Sequence, residues 1–232
     1  METIFDTPPV SVRNDLKALS TSLDRTVPKK KRSNILIATW NIRKFGNLTR
    51  QWLPGGRYSP KRDLRALRSI VEILSRFDVI AVQEVTGNLR ALRDTMKYLG
   101  DRWSFLMTDI TRGDAGNYER LAFIFNNTRV QTSGLACEVV VPPDLHAVKR
   151  SIFIGEGDNP MLEKFYDQIA WFTSASGKSR LSMEYLQGGG FDFLPFVYTD
   201  QGLSKNSLSH RISDHYPLWV EFRRAREKVF RQ

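Results

Sequence analysis

The whole chain has one cysteine, Cys137. Without a second thiol there is neither a disulfide framework nor a cysteine-based metal site, and the apolar surroundings at residues 134–141 read Cys137 as a buried structural thiol rather than a nucleophile. Long apolar runs are missing too, since none approaches the ~20 residues that a membrane helix needs. The N-terminus has no apolar stretch of the kind a signal peptide places after its charged start, so the expectation is a cytoplasmic protein. No internal repeat is present. Gly188-Gly189-Gly190 lacks the spacing and the strand-to-helix setting of a nucleotide-cradling loop, which leaves it as a flexible turn.

Acidic residues are in deficit. Thirty-five Lys and Arg against 25 Asp and Glu give a formal charge of +10, and such a surface attracts polyanions through counterion release. Nucleic acid, DNA foremost, is the partner this charge favours, although a basic surface also serves solubility alone. A length of 232 residues suits one domain with a sizeable core.

Residues 1–33 are polar, carry Pro8, Pro9 and Pro28, and end in Lys29-Lys30-Lys31-Arg32. They read as a flexible basic arm with at most one short helix around residues 14–23. The basic run reads as a solvated linker, with a nuclear address or a phosphate-gripping tail as the other readings. The folded domain is expected over residues 34–224, followed by a basic tail at 225–232. A strand at 35–40 leads to a helix at 60–77, with Leu64, Leu67, Ile70, Val71 and Leu74 at helical spacing. Residues 78–82 form a near-continuous apolar strand of the kind buried on both faces, and a helix at 88–99 follows. After this β-α-β-α start, further strands are expected at 104–108, 121–125, 135–141, 164–172 and 217–222.

Chemistry gathers at strand ends. Thr39-Trp40-Asn41-Ile42-Arg43 closes the first strand and Gln83-Glu84 the second, so an amide and a carboxylate are delivered toward one hard cation. Either segment alone is equally a turn former or a solvated charge. Ser213-Asp214-His215-Tyr216-Pro217 then offers a carboxylate beside an imidazole just before the last strand.

Taken together, these three segments resemble the endonuclease/exonuclease/phosphatase superfamily of deoxyribonuclease I and the abasic-site endonucleases, in a bacterial-type form. Tyr118-Glu119-Arg120-Leu121-Ala122-Phe123 and Tyr166-Asp167-Gln168-Ile169 extend the resemblance, in the same order, across about residues 34–224. It implies an α/β (α+β) fold, a four-layer αββα sandwich, and Mg²⁺-dependent phosphodiesterase or endonuclease activity, with Mn²⁺ as a second usable ion. Glu84 would be the principal metal ligand, with Asn41 and Asp214 near the metal or the attacked phosphate. His215 would be the catalytic imidazole, oriented by Asp167, and Arg43, Tyr118, Glu119 and Arg120 would meet the phosphate. DNA, RNA, phosphoinositide and sphingomyelin-type substrates all stay open, because the superfamily reuses one metal centre on many phosphoesters.

The middle of the family pattern is absent. No Thr-x-His strand and no Gly-Asp-x-Asn turn lie between the Glu-Arg and Tyr-Asp segments, where about 46 residues separate Arg120 from Tyr166. The sequence suggests an internal deletion joined near residues 139–142, leaving the sandwich incomplete. Gly157-Asp158-Asn159 has the wrong spacing to replace the lost turn, His146 reads as a surface or packing residue, and His210 offers at most a minor substrate contact. The alternative to an enzyme is therefore a silent remnant that binds nucleic acid or a partner, with dimerisation through exposed sheet edges as a further expectation.

Overall fold

The computed structural model describes residues 1–110, 118–132, 169 and 183–224. The elements are α1 (Val10–Thr26), β1 (Asn34–Phe45), α2 (Leu64–Leu74), β2 (Val79–Val85), α3 (Arg90–Leu99), β3 (Trp103–Met107), β4 (Arg120–Asn126), β5 (Glu184–Gly190), a 3₁₀ turn (Leu194–Phe196), α4 (Lys205–Ser209) and β6 (Leu218–Arg223). Six strands form one sheet in the order β3-β4-β2-β1-β6-β5. β1 and β2 run parallel, joined through α2, while β6 flanks β1 and β4 flanks β2 in antiparallel sense. This is the mixed α/β class expected. The strand expected at 135–141, the one expected at 164–172 apart from residue 169, the tail at 225–232, and Cys137, His146 and Asp158 lie outside the described residues.

Alternation along the central strands divides the two faces of the sheet. Leu36, Ala38, Trp40 and Ile42 of β1, with Ile80 and Val82 of β2, join the main core beside Leu67, Ile70 and Leu74 of α2. The odd-numbered face carries Ile35 and Ile37 in a smaller cluster with Val220 and Phe222. β2 is not buried on both faces as expected: Val79, Ala81 and Gln83 on its far side are only half-buried. Helix α2 starts at Leu64, later than residue 60, because Asp63 caps it by accepting from Ala66 N at 2.9 Å.

Two sequence readings are corrected. Residues 1–33 are not a loose arm, since α1 is 17 residues long and buries Val12, Leu19 and Leu23 completely. Its Asp15, also buried, accepts from Arg65 Nη2 of α2 at 2.6 Å, from Tyr198 N at 2.5 Å and from Thr199 Oγ1 at 2.6 Å. The apolar stripe outweighs the prolines, which lie before and after the helix rather than in it. Gly188-Gly189-Gly190 is likewise not a turn but the end of edge strand β5, paired with Val220, Trp219 and Leu218. There a Cβ on Gly189 would meet the Trp219 ring at 3.4 Å, so the glycines let a large indole lie against the strand.

Candidate active site

The parallel strands β1 and β2 end side by side, and both ends are irregular. Register shifts between Asn41 and Phe45 in the β1–β2 pair and between Val82 and Val85 in the β2–β4 pair. Lys44 and Glu84 each take a left-handed backbone, with φ of 46° and 57°. For residues with a Cβ this costs about 1 kcal/mol apiece, and such strain persists where the surroundings fix a side chain's aim. The two irregularities are bonded to each other: Glu84 Oε2 accepts from Lys44 N at 2.9 Å. Gly46 completes the close approach, because a Cβ there would sit 2.0 Å from Thr86 Oγ1.

The opposite flank of β1 holds the late turn. Ser213 Oγ donates to Asn41 O at 2.5 Å and accepts from His215 N at 3.0 Å and Arg43 N at 3.5 Å. Trp40 Nε1 donates to His215 O at 2.9 Å, which fixes that backbone on both sides. Beneath it, the Phe193 ring lies 5.6 Å from both Trp40 and Tyr216. Arg43 Nη1 donates to Ser209 Oγ at 2.8 Å and reaches Asp214 Oδ2 at 3.4 Å, a half-exposed pair of modest energy.

Asn41, Arg43, Glu84, Asp214 and His215 therefore gather around one stretch of β1, residues 40–44, on either side of the strand. Glu119 joins them electrically: burial and the neighbouring Glu84 carboxylate raise its pKa, against a smaller opposing pull from Lys44. Arg120 pairs in register with Val85 and donates to Thr86 O at 3.3 Å. Tyr118 is 66% exposed, in a left-handed conformation just before β4. Asp167 lies outside the described residues. His210 is exposed, next to Ser209, which binds Arg43.

Asn41 Oδ1 is buried and accepts no hydrogen bond. An unmet amide oxygen is costly unless something positive reaches it. Among the described residues no three His, Cys, Asp or Glu side chains form a ready cation cage. Sequence reasoning missed Arg62. Its buried guanidinium donates to Arg43 O (2.6 Å) and Lys44 O (2.7 Å) on one wall, and to Arg211 O (3.0 Å) and Ile212 O (2.9 Å) on the other. Burial pulls its pKa to about 10, with Tyr198 and Glu84 acting to raise it, so it stays charged at neutral pH. Nothing in Lys61-Arg62-Asp63 marked it, because helical periodicity had absorbed that stretch into α2.

The sequence model of the endonuclease/exonuclease/phosphatase family matches residues 38–161, more than half of the chain. The chain belongs to that family. Its match begins inside β1 and takes in Asn41, Glu84 and the Glu119-Arg120 strand. Membership makes the domain one of the metal-dependent nuclease or phosphatase type. No curated protein matches the chain. Among the described residues, no helix of this family member is long and apolar enough to cross a membrane.

Proposed function

We infer that this protein is a Mg²⁺-dependent phosphodiesterase that cuts nucleic acid, DNA in preference, with Mn²⁺ able to replace Mg²⁺. The observation that carries the reading is the gathering of Glu84, Glu119, the unpartnered Asn41 Oδ1 and the Asp214-His215 turn at one end of the parallel strand pair. The donor set fits a hard divalent ion: a Glu84 carboxylate, the Asn41 amide oxygen and an exposed Asp214 carboxylate are all oxygen ligands. Such an ion would satisfy the buried amide oxygen and offset the Glu84 repulsion that adds to burial in raising Glu119.

When bound, Mg²⁺ withdraws charge from a phosphoryl oxygen and acidifies water. The protein's own groups do the rest. His215, its backbone held by Trp40 and Ser213, contacts the phosphate or takes the proton from the attacking water, and Asp167 orients the ring. Arg43 and Arg120, backed by Tyr118 and Glu119 at the phosphate, meet charge growing on the phosphoryl oxygens. Supercoiled plasmid incubated with Mg²⁺ is expected to be nicked by the natural chain, not in EDTA, and at least a hundredfold more slowly by Glu84→Gln. Equal nicking by both proteins removes Glu84 from the mechanism. Metal-independent DNA binding without nicking supports the silent-remnant reading instead.

A further inference from the structure

Arg90, Arg93 and Lys97 recur at i, i+3 and i+7 on the exposed face of α3, while Ala91, Leu92 and Thr95 fill its buried face. Among the described residues these three cations have no acidic partner. Asp94, the one acid in that stretch, is held by Arg50 Nη2 at 3.3 Å. The cations line a hollow of about 420 Å³ with Gly87 and Asn88, which begins three residues beyond Glu84. Arg50 lines it too, and also lines a second hollow of about 720 Å³ with Trp52, Leu53 and Tyr58. Leu53 is 50% and Tyr58 49% exposed. The Glu84 end is tied to the same ground, since Phe45 O and Gly46 O accept from Thr86 N and Ala91 N.

A row of unpaired cations leading to a half-open aromatic ring is how sequence-indifferent sites hold single strands: phosphates track the charges and a free base stacks on the ring. A duplex offers phosphates to the cations, but its bases are already stacked inside and give Tyr58 no face. We propose that the two hollows form one track for a single-stranded polynucleotide running into the Glu84 cleft. Arg90, Arg93 and Lys97 bind consecutive phosphates, Arg50 with its Asp94 partner joins the two hollows, and Tyr58 stacks an unpaired base. This rests on the reading of the cleft as acting on nucleic acid, and it adds that the strand enters unpaired.

The test uses the full chain in EDTA, so binding is read apart from cleavage, with fluorescence anisotropy on a labelled DNA single strand and on the duplex made from it. The single strand is expected to bind more tightly. Arg90→Glu combined with Arg93→Glu weakens it and makes its logarithmic salt slope shallower by about 0.7 for each phosphate that is no longer neutralised. Tyr58→Ala weakens the single strand roughly tenfold and leaves the duplex unchanged. All three side chains are exposed, so unaltered melting curves are expected to accompany these losses. The track is overturned if the duplex binds as well as the single strand, if charge reversal changes nothing, or if Tyr58→Ala affects both forms alike. A chain that binds as described yet, given Mg²⁺, cuts neither plasmid nor the labelled single strand contradicts the catalytic reading and leaves the track standing.

Discussion

Arg62 touches no substrate in this account, yet it bridges four main-chain carbonyls from both walls of the cleft. Arg62→Met keeps most of the volume and leaves those buried acceptors unmet, so unfolding free energy measured in urea is expected to fall by about 3 kcal/mol. Plasmid nicking should fall with it; unchanged stability would make the four bonds incidental. Lys30 predicts a pH effect. Burial lowers its pKa from 10.5 to about 8, against the attraction of Asp78. Because the folded-state value lies below the unfolded one, the unfolded chain holds this proton more tightly between those limits, and stability rises with pH across that window. The rise should be missing from Lys30→Met when the two proteins are compared through the same window. Legibility at this scale was uneven. Glu84, Asn41 and His215 stood out as polar residues beside apolar strands, but the left-handed backbone at Lys44 and Glu84 has no sequence signal when neither residue is glycine.

Periodicity carried the elements it could. α2 and α3 were readable because their apolar residues recur at 3.6, and β1 and β2 because they are short near-continuous apolar runs, with helix ends shifted by a few residues where Asp63 starts α2 and Gly100 ends α3. The failures were elements that need a distant partner. β5 ends in three glycines and is a strand only because β6 supplies its hydrogen bonds and Trp219 covers Gly189. α1 carried Val12, Leu19 and Leu23 at helical spacing, but its charge and flanking prolines read as an arm. The docked helix makes its own prediction: Leu19→Ala or Leu23→Ala each leaves a core cavity costing about 3 kcal/mol, which in a chain of this size lowers Tm by roughly 6 to 12 °C. A free arm would show no shift in a calorimetric scan.

Across the molecule, strand order decides where the chemistry lies. The late Asp214-His215 turn meets the early Asn41-Arg43 segment because β6 pairs with β1, and Glu84 arrives from the other side because β2 does. That convergence was foreseen from family resemblance rather than from spacing, as Glu84 and His215 are 131 positions apart and no local pattern spans them. The site lies at one end of the central strand pair, in a chain of charge +10. The central claim is that this gathering holds a divalent ion through Glu84. Mn²⁺ titrated into the natural chain and into Glu84→Gln, with bound ion followed by electron paramagnetic resonance, tests it without any substrate. Binding by the natural chain that weakens at least tenfold in Glu84→Gln is the result expected; equal Mn²⁺ binding by the two proteins would contradict it.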